Sequence, residues 1–92
     1  MISAVVLIHA ESAKIPQVAE QVVEIPGIDT VYSTAGSVDL IAIARVARHE
    51  DFAGVIADRL NKVEGVRDTE THIAFRTYSP SDVEEGFALG MD

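Results

Sequence analysis

The residues best suited to chemistry lie in one short stretch, 34–40, between two apolar runs that are typical of β-strands. Gly36 can adopt a positive φ and lets another molecule approach the backbone closely. Ser37 and Asp39 place a hydroxyl and a carboxylate beside the amides of this turn. A carboxylate binds an ammonium and exposed backbone N–H groups bind a carboxylate, so the stretch suits an amino-acid zwitterion. The alternative is an aspartate that only satisfies its own loop.

Other polar side chains are candidates for a binding or catalytic role. Thr69 and Thr71 lie near the start of the last predicted strand, where ordinary β-propensity is the alternative explanation for them. His9 and His72 would share one face of a sheet, where a general base is expected. The three histidines show no HxxxH or HExxH spacing, and the glycines form no phosphate-binding loop. We therefore predict no metal and no cofactor.

Charge and composition exclude several classes of protein. Seven Lys and Arg against fifteen Asp and Glu give a net charge of −8, and the basic residues are scattered, whereas nucleic-acid binding needs a positive patch. The absence of cysteine excludes disulfides and is typical of a reducing cytoplasm. The apolar run 2–8 is too short to span a bilayer, and no Lys or Arg precedes it as in a signal peptide. We expect a cytoplasmic protein that binds neither nucleic acid directly nor membranes.

The elements that must position these residues follow from hydrophobic periodicity. Strands are predicted at 3–9, 29–34, 40–46 and 66–78. Apolar residues recur at helical spacing after Ser12, a plausible cap, and again in a helix over 50–62. Ser81 and Glu84 stand at capping-box spacing and predict a short helix in a C-terminal extension, 79–92.

A weak internal repeat supports the order β-α-β-β-α-β. Pro26 and Gly27 end the first helix, and Glu64 and Gly65 end the second one. Two such split βαβ halves form a ferredoxin-like α+β sandwich with an antiparallel sheet, in a single domain over 1–92. Right-handed crossovers place the first and third strands, which are apolar on both faces, in the centre.

The predicted sandwich leaves one face of its sheet uncovered. Two helices cover only one face, and a chain of this size buries about 60–65% of its unfolded surface. With 48% hydrophobic residues, the second face carries apolar surface that needs a partner. A two-fold dimer that packs sheet against sheet is the simplest solution.

On these residues the chain resembles the effector-binding (RAM) domain of the Lrp/AsnC feast/famine transcriptional regulators, in a stand-alone form lacking the helix-turn-helix. The resemblance is carried by three stretches: Ile25-Pro26-Gly27-Ile28, Val31 to Leu40 with its glycine-x-x-aspartate turn, and Val63 to Thr71 with its Thr-Glu-Thr run. The residue before the turn aspartate, usually aromatic in this family, is Val38 here.

The resemblance implies a dimeric α/β barrel whose dimers assemble further, into octamers or decamers. It implies that an amino acid or related small effector binds between dimers, and that full-length Lrp/AsnC regulators are possible partners. It places ligand-binding residues at Gly36, Ser37, Val38, Asp39, Thr69 and Thr71. The expected function is therefore effector binding and oligomerisation in transcription regulation, without catalysis. The alternatives are an enzyme of the same barrel type that uses His9 or His72, and a purely structural assembly partner.

Overall fold

A four-stranded antiparallel sheet in the order β2-β3-β1-β4 organises residues 1–80, the part of the chain that this computed structural model describes. The strands are β1 (Ile2–Ala10), β2 (Ile28–Ser33), β3 (Leu40–Val46) and β4 (Val66–Ile73). A 3-10 turn at Ser12–Lys14 leads into helix α1 (Ile15–Val23), and helix α2 consists of a π-helical segment (Ala53–Arg59) and a 3-10 turn (Leu60–Lys62). The predicted ferredoxin-like α+β fold is confirmed.

The two central strands are those that the sequence predicted. β1 pairs with β3 from Ile2 opposite Val46 to Ile8 opposite Leu40. Both strands are covered along both edges and carry apolar residues on both faces, as a strand in the middle of a sheet does. Alternate residues of β1 and β3 point towards the helices and form the core. The core residues are Ala4, Val6, Ile8, Ala10, Val18, Val22, Ile25, Leu40, Ala42, Ala44, Val46, Phe52, Val55 and Leu60.

The opposite face of the sheet, which we call the open face, has an apolar centre. Val5 and Leu7 of β1 lie opposite Ile43 and Ile41 of β3, and all four are only half-buried in one copy of the chain. Tyr32 of β2 pairs with Ile41 and is 56% exposed. Since neighbouring core residues on the other face are fully buried, this exposure marks a surface suited to a partner.

The internal repeat is visible in the backbone. Gly27 and Gly65 follow the two helices with φ angles of +102° and +99°. The carbonyl of Gly27 accepts a hydrogen bond from Arg45 at 2.7 Å, and that of Gly65 accepts one from Glu11 at 2.8 Å. Each glycine thus attaches the end of a helix to the chain that follows a central strand.

Helix α2 differs from the predicted α-helix over 50–62. It winds as a π-helix over Ala53–Arg59 and tightens into a 3-10 turn at its end. The buried residues Val55 and Leu60 are five positions apart, and a π-helix with i→i+5 bonds brings such residues to the same side. The apolar spacing therefore selects a wider winding than the one predicted.

Strand β4 is shorter than the predicted 66–78. It ends at Ile73, which pairs with Ala4, and the amide of Ala74 then bonds the carbonyl of Ser3 at 2.7 Å. As an edge strand it pairs only with β1, which begins at Ile2, so the ladder stops where its partner stops.

Two further predictions concern the helix ends. Ser12 was expected to cap the first helix, but it opens a 3-10 turn and no side-chain cap bond forms at either helical start there. The prediction of a helix in 79–92 falls on residues beyond 80 and so lies outside the described residues. Within residues 1–80, no helix combines the length and apolarity that crossing a membrane requires.

Candidate functional site

The turn between β2 and β3 is closed at its base and exposed at its tip. The amide of Thr34 donates to the carbonyl of Asp39 at 3.1 Å, and the Thr34 hydroxyl donates to the carbonyl of Val38 at 2.9 Å. Gly36 has a φ of +152°, and both Gly36 and Ser37 are exposed. The sequence-predicted turn therefore presents backbone groups to its surroundings from a fixed base.

Asp39 attaches this turn to the central strand β1. Its amide donates to the carbonyl of Ile8 at 3.0 Å, and its carboxylate Oδ2 accepts a hydrogen bond from the amide of Ala10 at 2.9 Å. The pairing of β1 with β4 shifts by a bulge between His9 and Ala10, beside this contact. The carboxylate thus bonds β1 rather than its own loop. Because a carboxylate has two oxygens with several acceptor positions, one such bond leaves capacity for a ligand.

The two predicted threonines lie on the other face of the sheet. Thr69 pairs with Ile8 and Thr71 with Val6, and both β1 residues point into the core beneath the helices. The Thr69 hydroxyl donates to the amide oxygen of Asn61 in α2 at 2.7 Å. Both threonines are half-buried. Within one copy they are therefore separated by β1 from the turn residues.

The alternation of side chains sets the position of Asp39 relative to these threonines. Leu40 is buried on the helix side, so Asp39, one residue earlier in the same ladder, lies on the open face with Ile41. Val38 is half-buried next to it. The structure thus brings Gly36, Ser37, Val38 and Asp39 together and leaves Thr69 and Thr71 in a second group.

One pair of residues near the turn was missed by sequence reasoning. The His9 imidazole on the open face approaches Oδ1 of Asp68 with its Nδ1 at 2.6 Å and the carbonyl oxygen of Ser37 with its Nε2 at 2.8 Å. The hydrogen bond to Asp68 and then that to Ser37 raise the pKa of His9 above its ordinary value of 6.5. Only the register of β1 against β4 brings Asp68 opposite His9, and the sequence does not reveal that register.

His72 also lies on the open face, opposite Val5, as the sequence suggested. Its Nε2 is 2.6 Å from the Glu70 carboxylate on the same strand. A general base needs an unshared ring nitrogen, whereas His9 directs both of its nitrogens at acceptors. The contacts of His9 are those of a structural cation.

Two surface depressions among the described residues lie elsewhere. One, of about 340 Å³, is lined by Met1, Gly27, Ile28, Asp29 and Arg45. The other, of about 270 Å³, lies between α1 and the end of α2 and is lined by Ala13, Lys14, Gln17, Gln21 and Glu64. Neither includes a residue of the turn or the two predicted threonines.

Comparison with known proteins supplies a family for this arrangement. A family model described as the Lrp/AsnC ligand binding domain matches residues 3–83, which include the turn and both threonines. An uncharacterised HTH-type transcriptional regulator of Pyrococcus abyssi is 38% identical over 61 residues. That match covers 66% of this chain and 41% of the regulator, so the chain corresponds to less than half of that relative.

Solved structures share the fold. The crystal structure of TTHA0845 from Thermus thermophilus aligns with a TM-score of 0.82 and 37% identity, over 86% of this chain and 99% of that one. The feast or famine regulatory protein of M. tuberculosis, complexed with L-methionine, aligns with a TM-score of 0.70 and 23% identity. That alignment covers 87% of this chain and 54% of the regulator, and at this identity it shows the fold alone.

Proposed function

Because this chain belongs to the Lrp/AsnC ligand-binding domain family, we propose that it is a non-catalytic module that binds an amino acid or a related small effector. The match of the family model over residues 3–83 carries this proposal. The relatives found by sequence are transcriptional regulators rather than enzymes. The formal charge of −8 supports a sensing role for these residues rather than direct contact with nucleic acid.

The turn supplies groups that complement a zwitterion. Asp39 offers a carboxylate for the ammonium, on the same face as the half-buried Val38 and Ile41. The exposed amides at Gly36 and Ser37 offer donors for the ligand carboxylate. A neighbour with the same fold is a complex with L-methionine, which supports an amino acid as the ligand class.

We place the complete site between copies of the chain. The open face has an apolar centre at Val5, Leu7, Ile41 and Ile43, and a second copy packed face to face would bury it. Thr69 and Thr71 face the opposite side of the sheet, so residues of both groups meet one ligand only if different copies contribute them. This supports dimers that assemble into an octamer or decamer, alone or together with full-length Lrp/AsnC regulators.

A thermal-shift screen of the common amino acids at millimolar concentration tests the ligand class. We expect at least one to raise the melting temperature, because a ligand that binds only the folded assembly stabilises it by mass action. Native mass spectrometry of protein taken directly from cells then reports the number of subunits and any retained small molecule. A melting temperature that no amino acid changes would refute the proposal and favour a purely structural partner.

The substitution Asp39→Asn tests the residue. Asparagine keeps an oxygen for the amide of Ala10 but removes the charge that an ammonium requires. We expect the fold to persist and the response to the stabilising amino acid to be lost. Asp29→Asn is the matched control, since Asp29 is an exposed carboxylate on β2, 4.0 Å from Arg45. Equal responses of the two variants would exclude Asp39 from the site.

A further inference from the structure

His9 joins two elements that the chain does not otherwise connect on the open face. Its Nδ1 lies 2.6 Å from the Asp68 carboxylate on β4, and its Nε2 lies 2.8 Å from the Ser37 carbonyl in the turn. A carbonyl and an ionised carboxylate are acceptors only, and an imidazole donates from both nitrogens only when it is protonated. Both contacts therefore form together only with the imidazolium.

We propose that protonated His9 clamps the turn 34–39 against β4 and so positions the backbone groups of the turn for a ligand. The clamp rests on the two contacts of His9, and its effect on binding rests on the function proposed above. When the ring loses a proton, the Nδ1–H bond to Asp68 remains, because an ionised acceptor holds a hydrogen bond more strongly than a neutral one. The lone pair of Nε2 then faces the Ser37 oxygen, and this attachment is lost.

The charged groups around His9 favour its protonated form. Asp68 lies on β4, Asp39 lies at the base of the turn, and both raise the pKa of His9. Glu70 and His72 follow Asp68 along the same face of β4. A group whose pKa is raised in the folded state stabilises that state at low pH and loses this effect as the pH rises through the raised value. The clamp is thus closed at acidic and neutral pH and opens towards alkaline pH.

The base of the turn does not depend on His9. The bonds between Thr34, Val38 and Asp39 persist at any protonation state of the ring, since their donors are an amide and a hydroxyl. Deprotonation therefore releases the tip at Gly36 and Ser37 without unfolding the hairpin. Because those residues offer the amides that a ligand carboxylate requires, a mobile tip binds the ligand less tightly.

Nuclear magnetic resonance across the His9 titration tests the clamp without any ligand. In the wild type we expect the amide nitrogen of Val38, which adjoins the Ser37 carbonyl, to titrate together with the His9 ring. We also expect the backbone order parameters at 36–38 to fall from about 0.85 towards about 0.6 as the pH rises. Asp68→Asn is expected to move both transitions to lower pH, because it removes the charge that favours the imidazolium.

Two further variants separate the clamp from a general effect of histidine. His9→Gln is expected to give a turn that is mobile at every pH. His72→Gln is the matched control, since His72 pairs with Glu70 on its own strand, and it should behave like the wild type. Order parameters that stay constant through the wild-type titration, or that change equally in the two variants, would overturn the clamp.

Calorimetric titration with each common amino acid measures the effect on binding. We expect the dissociation constant to rise about twofold to tenfold across the His9 titration in the wild type and in His72→Gln, in line with one net hydrogen bond, and to stay flat in His9→Gln. If the turn titrates but no amino acid binds, the proposed function fails and the clamp stands. If an amino acid binds with a pH-independent affinity to a rigid turn, the function stands and the clamp is refuted.

Discussion

The substitution Gly65→Ala tests the junction between α2 and β4. Gly65 has a φ of +99°, and an added Cβ would lie 2.8 Å from Cγ2 of Val18 and 3.2 Å from Cβ of Lys14. A positive φ costs about 1–2 kcal/mol in a residue with a side chain. Crowding against the fully buried Val18 adds about 1–3 kcal/mol, because a packed core does not yield easily. We therefore expect the free energy of unfolding to fall by about 2–5 kcal/mol.

The assay is urea denaturation followed by circular dichroism, at one protein concentration because assembly contributes to stability. In a domain of this size each kcal/mol shifts the melting temperature by about 4–8 °C, so a thermal scan should show a drop of at least about 10 °C. A loss of less than about 1 kcal/mol would refute the reasoning, since the positive φ alone should cost that much.

Two other glycines are controls for the same substitution. Gly36 has a φ of +152° with no atom within 4 Å of an added Cβ, so Gly36→Ala should cost only backbone strain, about 1 kcal/mol. Gly54 lies in α2 without a positive φ and also has open space around it. Gly54→Ala should therefore stabilise by about 0.5–1 kcal/mol, because alanine favours a helix. Any order other than Gly54, Gly36, Gly65, from most to least stable variant, would contradict the described backbone.

Two further predictions concern the open face and the acid limit of stability. Leu7→Glu places a charge at the apolar centre of the open face, and we expect sedimentation to show a shift from oligomer to monomer; an unchanged mass would exclude this face as the interface. The Lys14 ammonium, 3.0 Å away, lowers the pKa of Glu64, so this pair stabilises the fold above the ordinary value of 4.5 and the effect is lost as the pH falls through the lowered pKa. Glu64→Gln should thus leave stability below both pKa values unchanged and flatten its rise with pH in urea denaturation, and a slope equal to that of the wild type would contradict the pair.

The sheet was predictable because its determinants are local. β1 and β3 carry apolar residues on both faces, and this pattern identifies central strands without any knowledge of their partners. The two helix stops at Gly27 and Gly65 were visible as a repeat, since each needs a residue that tolerates a positive φ. The turn 34–39 was likewise marked by its glycine and its polar residues.

What escaped prediction depends on which residues face each other. The end of β4 at Ile73 is set by the beginning of β1, a residue distant in sequence. The contact of His9 with Asp68 spans 59 positions and requires the register of the edge strand, which includes a bulge. The π winding of α2 follows from packing against the sheet, because Val55 and Leu60 must both reach the core. Such pairings are properties of the tertiary fold and leave no signal at short spacing.

The division of the predicted site between two faces has a thermodynamic consequence. Asp39 lies on the open face and Thr71 on the helix face, so one copy of the chain cannot direct both at the same small molecule. A ligand held by residues from different copies binds only the assembled state. It then stabilises the assembly by about 2.7 kcal/mol at a hundredfold excess over its dissociation constant, without any change of conformation inside a subunit. In such a module the signal that a ligand generates is the population of the assembly itself, and a mutation that weakens the interface must weaken apparent ligand binding by the same factor.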